Sequence, residues 1–276
     1  MILKKLLRYI VKKLFEFPFL TKPLPKFPFG KKLWASKDTY LLLHKNAIKN
    51  VNKNIVQFEN SYGKGIDIEW FENLALHTQV VIKEEKLNYD HGRILYSTLY
   101  RYIENQKSDK YLTIFETGTA RGFSAICMAK AFTDTNKLGK IISVDCISHN
   151  ESIYWNCIDD LEGPKTRNEL LSKWSKELSR IVFIQGWTDS LINRIGLDRI
   201  NFAFLDAQHT KEAVLKEFLF VSEKQKKGDL IVFDDVTPGF FDGVCRAVNL
   251  ISEKYNYDVE YVKFKDDRGY AIAKKK

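Results

Sequence analysis

Apolar residues recur with two different spacings along the chain, and the change from one to the other lies near residue 111. Upstream, they recur every three or four residues, as in Gly92–Gln106, where Ile94, Leu95 and Leu99 fall on one face. This spacing is that of an amphipathic helix, so residues 37–110 are predicted to be mainly helical. Downstream, short runs rich in β-branched and aromatic residues predict strands at Leu112–Glu116, Ile141–Asp145, Ile181–Gln185, Asn201–Asp206 and Leu230–Asp234.

Helical stretches separate these strands, among them Ser124–Phe132, Glu169–Leu178 and Lys211–Lys224. Strands that alternate with helices predict a parallel sheet covered on both faces. The chain closes with two further strand-like runs, Val259–Phe264 and Tyr270–Ala273, and the intervening Asp266-Asp267-Arg268-Gly269 indicates a hairpin turn. The predicted fold class is therefore α/β: a Rossmann-like, seven-stranded, mostly parallel sheet with an antiparallel terminal strand, helices on both faces and an N-terminal helical extension.

The first twenty residues have a basic and amphipathic pattern. Their spacing predicts a helix with apolar side chains on one side and basic side chains on the other. The apolar residues are Ile2, Leu3, Leu6, Leu7, Ile10, Val11 and Leu14. Lysines interrupt any apolar core that a signal peptide would need. Two interpretations stay open: the helix lies on an anionic membrane surface, or it packs against the domain or a second subunit. Four prolines then predict an extended arm, at Pro18, Pro23, Pro25 and Pro28.

These patterns divide the chain into three predicted parts. Residues 1–36 form the basic amphipathic helix and proline-rich arm, residues 37–110 a helical extension that covers the substrate, and residues 111–276 the ligand-binding domain. Two segments are candidates for the cover over the acceptor site, Asn73–Asp90 and Tyr154–Asp160, with structural packing as the alternative for both.

The net charge of +9 is concentrated at the N-terminus. Residues 1–33 carry nine Lys or Arg and one acid, which is +8 and leaves +1 for the rest of the chain. An enzyme of nucleic acids usually carries positive charge across its catalytic face, so a nucleic-acid substrate is disfavoured. No uncharged apolar run approaches the roughly 18 residues of a transmembrane helix. Four cysteines without a C-x-x-C pair favour reduced thiols in a cytoplasmic protein, peripheral at the inner face of the membrane if residues 1–20 bind it.

A glycine-containing loop follows the first predicted strand of the domain. Gly118 and Gly122 flank the turn, and a helix begins near Ser124. Glycine lets the backbone approach a ligand closely, and a helix N-terminus offers free N–H groups to an anion. The dinucleotide fingerprint G-x-G-x-x-G needs a third glycine, which is missing, so the loop favours a ligand with a single carboxylate over a pyrophosphate.

The run Phe115–Ala125 resembles motif I of class I methyltransferases, and most closely that of the small-molecule O-methyltransferases of the catechol and caffeoyl-coenzyme A type. The resemblance extends over roughly residues 85–275. It implies that S-adenosylmethionine is bound by residues of this loop and the following helix, namely Glu116, Gly118, Thr119, Ala120, Gly122 and Ser124. It also implies that Asp145, at the end of the second strand, accepts the ribose hydroxyls. Gly186 and Trp187 are similar to the segment that lines the adenine, with core packing as the alternative for Trp187.

Three carboxylates follow the fourth and fifth strands, at Asp206, Asp234 and Asp235. Because adjacent strand ends bring them together, they repel one another unless a cation neutralises them. Oxygen ligands of this kind suit Mg²⁺ or another divalent cation. The constellation also resembles that of metal-dependent O-methyltransferases, which implies a metal site at these three residues and a further cofactor contact from Asp206.

His209 lies where the catechol-type enzymes have a lysine base. A histidine can take a proton near neutral pH, and the predicted catalytic residues are therefore His209 and Asp206. The alternative is that His209 orients Asp206 or the substrate.

The predicted function is methyl transfer from S-adenosylmethionine to a hydroxyl, metal-assisted, on a small molecule or sugar. Acceptors of three kinds fit: a glycan sugar, a lipid-linked precursor or a phenolic metabolite. One alternative is an RNA methyltransferase that uses the basic N-terminal segment, although no Asn-Pro-Pro-Tyr motif follows the fourth strand. Another is a catalytically inactive, membrane-associated adaptor, against which the intact acids at Glu116, Asp145 and Asp206 count.

Overall fold

The computed structural model describes residues 29–32, 35–49, 53–83, 86–107, 110–263 and 268–276. The predicted amphipathic helix at residues 1–20 and most of the proline-rich arm lie outside these ranges. Within them, no helix combines the length and the apolar character needed to cross a membrane.

The first part of the described chain is helical, as its apolar spacing predicted. Among the described residues, four helices precede the sheet: α1 (Lys37–Lys49), α2 (Lys53–Tyr62), α3 (Ile68–Thr78) and α4 (His91–Glu104). The N-cap of α3 is Asp67, whose side chain accepts the backbone N–H of Trp70 at 2.8 Å. Helix α4 is buried along most of its length, which makes it an internal helix of the protein rather than a surface cover.

Seven strands of the described part of the chain form one sheet in the order β3-β2-β1-β4-β5-β7-β6. They are β1 (Leu112–Thr117), β2 (Gly139–Asp145), β3 (Ile181–Gln185), β4 (Phe202–Leu205), β5 (Leu230–Phe233), β6 (Tyr257–Lys263) and β7 (Gly269–Lys275). Strands β1 to β5 are parallel, whereas β7 is antiparallel to β5 and β6 is antiparallel to β7. The predicted fold class, a mostly parallel sheet closed by an antiparallel terminal strand, is confirmed.

The remaining helices connect the strands. They are α5 (Phe123–Thr135), α6 (Arg167–Leu170), α7 (Ser175–Leu178), α8 (Thr188–Leu191), α9 (Lys211–Glu223) and α10 (Asp242–Lys254), with 3₁₀ turns at Ile158–Glu162, Ser172–Trp174 and Ile192–Arg194. Helix α6 begins with the capping box that its sequence indicates, in which Thr166 and Glu169 bond each other's backbone N–H groups.

The predicted helical stretch Glu169–Leu178 is present, but it is not one continuous helix. The chain forms α6, a 3₁₀ turn and α7 instead. Leu170 packs with Trp155 in a small satellite cluster, whereas Leu171 packs in the main core. The two neighbouring leucines thus serve different clusters, and the segment bends between them.

Both faces of the sheet are covered, as alternating strands and helices require. One face carries the core that includes α2, α3, α4 and α5, for example Leu74, Leu99 and Phe123 against Ile114 and Phe202. The other face packs against α9 and α10, with Phe218 and Val248 against Phe115, Ala203 and Ile231. The registers Thr117↔Leu205 and Leu205↔Phe233 place the carboxyl ends of β1, β4 and β5 level with one another. The residues that follow these strands therefore share one edge.

Candidate functional site

The loop after β1 has the left-handed backbone that its glycines allow. Gly118 and Gly122 have φ values of 87° and 88°, and Ala120 between them has a φ of 46°. A Cβ added at Gly118 would lie 2.1 Å from the backbone oxygen of Asp206. The loop therefore passes directly against the end of β4, and only glycine permits this approach.

Glu116 lies fully buried beneath the loop. Each of its carboxylate oxygens accepts a hydroxyl hydrogen bond, one from Ser124 at the start of α5 and one from Ser143 on β2. Burial raises the pKa of Glu116 to about 7, although the two hydrogen bonds oppose that shift. Glu116 thus ties β2 and α5 to the base of the loop, and the hydroxyl of Ser124 is already engaged with it.

Asp145 closes the loop from the end of β2. One carboxylate oxygen accepts the backbone N–H of Ala120 at 2.7 Å, and the other accepts that of Ile147 at 2.6 Å. Each oxygen keeps a further lone pair, so these bonds leave acceptor capacity for a ligand. The structure brings the predicted ribose-binding carboxylate to the predicted cofactor loop. We call this set, Glu116–Gly122 with Asp145, the cofactor wall.

Gly186 and Trp187 follow β3 beside the cofactor wall. The backbone N–H of Gly186 donates to the carbonyl oxygen of Asp145 at 2.8 Å. The side chain of Trp187 is not part of the core, since the residue is 63% exposed. Of the two interpretations of this tryptophan, core packing is therefore wrong, and its ring is available to a ligand.

Three carboxylates gather at the ends of β4 and β5, and we call Asp206, Asp234 and Asp235 the acid cluster. Asp234 and Asp235 are almost completely buried, whereas the side chain of Asp206 is 23% exposed. The Oδ1 of Asp234 accepts the backbone N–H of Asp235 at 2.7 Å, and no hydrogen-bond donor among the described residues reaches its Oδ2. Asp235 has a φ of 57°, a left-handed conformation that is strained for an ordinary residue.

Two cationic side chains face the acid cluster. The Nε2 of His209 lies 3.0 Å from Asp235 Oδ2 and 3.9 Å from Asp206 Oδ1. The Nε of Arg268 donates to Asp235 Oδ1 and lies 3.3 Å from Asp234 Oδ1. The cluster is therefore neutralised in part by side chains of the same chain.

The ionisation of these groups follows from their burial and their partners. Pairing with Asp206 and Asp235 raises the pKa of His209 to about 10, which favours the protonated imidazole at neutral pH. Burial raises the pKa of Asp206, and it raises that of Asp234 well above the ordinary value. Burial acts the same way on Asp235, but hydrogen bonds from His209 and Arg268 outweigh it and hold its pKa below the ordinary value.

Two residues of the site were not predicted from sequence. The sequence pattern places Arg268 in a hairpin turn and gives no functional signal for His91. His91 begins α4 and is buried, with its ring 5.0 Å from that of Phe123 and parallel to that of Phe204 at 6.3 Å. Burial lowers its pKa to about 3, with Arg268 contributing, so His91 is a neutral imidazole behind the acid cluster. A signal for Arg268 existed: an antiparallel last strand must begin at the edge where β5 ends.

The two segments predicted as a substrate cover contact each other. Asn156 exchanges two hydrogen bonds with the backbone of Ile82, at 3.0 and 3.1 Å, and Asp159 pairs with His77. The same region touches the loop, because Arg121 donates through Nε to the carbonyl oxygen of Trp155 at 2.6 Å. One of these segments therefore contacts the cofactor wall, and the role of both over an acceptor stays a prediction.

Comparison with known proteins places this arrangement in a family context. Residues 115–236 match the family model described as a methyltransferase domain. The O-methyltransferase TomG from Streptomyces achromogenes, involved in tomaymycin synthesis and solved with SAM, is similar with a TM-score of 0.55 and 16% identity, covering 82% of this chain and 97% of that chain. No curated protein matches the chain.

Two further solved structures are similar over most of their length. The O-methyltransferase from Bacillus cereus, in complex with SAH, gives a TM-score of 0.50 at 16% identity over 87% of this chain and 99% of that chain. The SAH-bound methyltransferase PaMTH1 from Podospora anserina gives 0.52 at 14% identity over 90% and 99%. At such low identity the likeness shows the fold, and the domain match adds the enzyme class. The prediction of a methyltransferase domain is confirmed over residues 115–236, and the predicted fold is confirmed over most of the chain.

Proposed function

We propose that this methyltransferase transfers a methyl group from S-adenosylmethionine to a hydroxyl of a small molecule or sugar. The observation that carries the proposal is the contact between Gly118 and the backbone of Asp206. This contact joins a methyltransferase-type loop to a carboxylate that can take a proton. A methyl donor bound at the loop and a hydroxyl acceptor beside Asp206 would therefore meet at the same edge of the sheet.

The residues of the cofactor wall fit S-adenosylmethionine. The left-handed loop brings its backbone close to the end of β4, and the first turn of α5 leaves N–H groups without intrahelical partners for a carboxylate. The remaining lone pairs of Asp145 suit two ribose hydroxyls, and the exposed ring of Trp187, next to Gly186, suits the adenine. The cofactor supplies an activated methyl group when bound. Dinucleotides are disfavoured, because the loop lacks the third glycine.

The charges at the acid cluster indicate which group takes the proton of the acceptor hydroxyl. A histidine that already holds its proton cannot take another, so Asp206, the most exposed of the three acids, takes the hydroxyl proton in our proposal. The acceptor oxygen bonds to the methyl carbon as the bond from that carbon to sulfur breaks, and its electron pair stays on sulfur. His209 stabilises the negative charge that develops on the acceptor oxygen. The base role predicted for His209 stays a prediction, and the orienting role is favoured by its partners.

The predicted metal assistance also stays a prediction, and the geometry does not fit the ligand set Asp206, Asp234 and Asp235. Arg268 lies against Asp234 and Asp235, where that set would need an ion. One ligand atom each from Asp206, His209 and Asp235 does lie within 4.8 Å of the others, which keeps a second arrangement open to test. No step of the proposed reaction passes through a metal.

Two considerations support a hydroxyl acceptor over RNA. TomG and the Bacillus cereus protein are both described as O-methyltransferases. The described part of the site gathers acids rather than a basic surface for phosphates, whereas RNA binding rests on positive charge. RNA methylation through the basic N-terminal segment remains an outcome that the assay must distinguish.

A methyl-transfer assay with labelled S-adenosylmethionine tests the proposal. The full chain is offered glycan, lipid-linked and phenolic acceptors, with structured RNA as a separate arm. We expect transfer to a hydroxyl acceptor, and its loss in the Asp206→Asn variant. Transfer to RNA alone would contradict the hydroxyl proposal, and no binding of S-adenosylmethionine would contradict methyl transfer altogether and favour an inactive adaptor.

For residues 1–20 we propose contact with an anionic membrane surface in a cytoplasmic protein. The support is the sequence pattern, which predicts a helix with apolar residues on one side and basic residues on the other. Sedimentation with phosphatidylserine vesicles should recover the full chain but not a variant lacking residues 1–20. Equal recovery of both, or equal recovery on uncharged vesicles, would argue for packing on the domain or on a second subunit.

A further inference from the structure

We propose that the guanidinium of Arg268 is the resident cation of the acceptor site, in the place where a divalent ion was expected. An arginine would then offset the negative charge of the acid cluster and order its side chains. The native site would bind no divalent metal. This inference rests on the proposed function for its meaning, but its test uses metal binding and is independent of any acceptor.

The contacts of Arg268 are those that a bound cation would make. Its Nε donates to Asp235 Oδ1 and lies 3.3 Å from Asp234 Oδ1. The two carboxylates are 0 and 2% exposed, and the arginine side chain is 30% exposed. A positive charge beside two buried carboxylates removes the repulsion that would otherwise demand a metal.

The fold fixes Arg268 in this position through its neighbour. Gly269 makes two hydrogen bonds to the segment after β5. Its carbonyl oxygen accepts the backbone N–H of Val236 at 2.8 Å, and its backbone N–H donates to Thr237 Oγ1 at 2.9 Å. A Cβ added at Gly269 would lie 2.2 Å from the carbonyl oxygen of Val236. The start of β7 is therefore packed tightly on the segment after β5, and Arg268 is held beside the acids that precede this segment.

The same contacts leave little capacity for an ion. Both oxygens of Asp235 are engaged, one by Arg268 and the other by His209 Nε2 at 3.0 Å. An ion held by Asp206, His209 and Asp235 would have to break the bond between His209 and Asp235. It would also lie close to a guanidinium of like charge, and like charges at short range disfavour each other. Arginine and metal are thus alternatives at this site.

Removing the arginine should therefore create a metal site. The full chain is freed of metal with EDTA, dialysed and titrated with Mn²⁺, followed by electron paramagnetic resonance. We expect negligible binding by the wild-type protein and at least about tenfold tighter binding by Arg268→Gln, because the three carboxylates then lose the positive charge of the guanidinium. Arg268→Lys, which keeps the charge, should resemble the wild type. Arg194→Gln, at an exposed arginine away from the cluster, is the matched control.

Thermal unfolding gives a second readout. We expect Arg268→Gln to lower Tm by about 5 °C, with partial recovery on addition of Mn²⁺ that the wild type does not show. Stoichiometric Mn²⁺ binding by the wild type that Asp235→Asn removes would overturn the proposal. If Arg268→Gln does not fold, the wild-type titration alone decides. Calorimetry with S-adenosylmethionine on the same samples reports separately on the proposed function.

Discussion

The cofactor wall and the acid cluster lie on the same edge of the sheet but are built from different parts of the chain. The cofactor wall comes from seven consecutive residues, Glu116–Gly122, and from Asp145 at the end of the next strand. Its loop meets Asp145 and the end of β4 through backbone atoms. The acid cluster and its partner Arg268 are charged side chains from the ends of β4 and β5 and from the start of β7. A loop is encoded locally, whereas a cluster of this kind depends on the topology of the sheet.

This difference predicts different sensitivities to substitution. The cofactor wall should lose its affinity for S-adenosylmethionine when its backbone conformation or its close approach to the end of β4 is lost. It should tolerate changes in exposed side chains. The acid cluster should lose its role in methyl transfer when the charge of a single side chain is removed without a change in its shape. Four substitutions test this contrast, from the largest expected effect to the smallest.

Asp206→Asn should have the largest effect on the rate of methyl transfer. It preserves shape but removes the proposed proton acceptor, so we expect kcat to fall by roughly 1,000-fold. The affinity for S-adenosylmethionine, measured by calorimetry, should change by less than about threefold, or roughly 0.6 kcal/mol. Asp258→Asn, at a carboxylate that is 73% exposed, serves as the control. Equal losses of kcat and cofactor affinity would show that the two regions do not act separately.

Gly118→Ala tests the contact between the two regions. The added Cβ meets the backbone of Asp206 at 2.1 Å in a left-handed conformation, and we expect a loss of about 3 kcal/mol in the free energy of unfolding. Cofactor affinity should fall by at least about 100-fold, or 2.7 kcal/mol. Gly196→Ala, where a Cβ meets nothing within 4 Å, should be nearly neutral by the same denaturant titration. A Gly118→Ala protein that binds the cofactor normally would sink the proposed loop geometry.

Glu116→Gln should change how stability depends on pH. The folded pKa of Glu116 is raised to about 7 from 4.5, so its contribution is fully present below pH 4.5 and is lost as the pH rises through 7. Relative to Glu116→Gln, the wild type should lose roughly 3 kcal/mol over that window. Urea unfolding between pH 5 and 8 measures the difference. Glu223→Gln, at a side chain 75% exposed, should leave the profile unchanged. A parallel pair of profiles would mean that Glu116 is charged throughout.

Trp187→Ala should have the smallest effect. Loss of a ring that stacks on the adenine should weaken S-adenosylmethionine binding by about fivefold, or 1 kcal/mol, with little change in stability because the residue is 63% exposed. Phe240→Ala, at an aromatic residue 82% exposed after β5, should leave this affinity unchanged. If both variants bind the cofactor as the wild type does, Trp187 does not line the adenine.

The parts of the fold that sequence predicted are those with local signals. Strand β3, for example, is predicted with its observed bounds. The interruption of the helix after Leu170 could not be predicted, because helical spacing does not reveal that neighbouring leucines enter different clusters. The site divides the same way: the loop at Glu116–Gly122 is legible in one stretch of sequence, whereas Arg268 meets Asp235 only through the pairing of β7 with β5.

Calorimetric titration of the full chain with S-adenosylmethionine, beside NAD and the Gly118→Ala variant, tests the central claim most directly. The cofactor wall predicts one bound S-adenosylmethionine per chain with a Kd on the order of 10 µM, no binding of NAD, and loss of binding in Gly118→Ala. Absence of S-adenosylmethionine binding by the wild type, or equal binding of NAD, would contradict the assignment of this loop as the methyl-donor site.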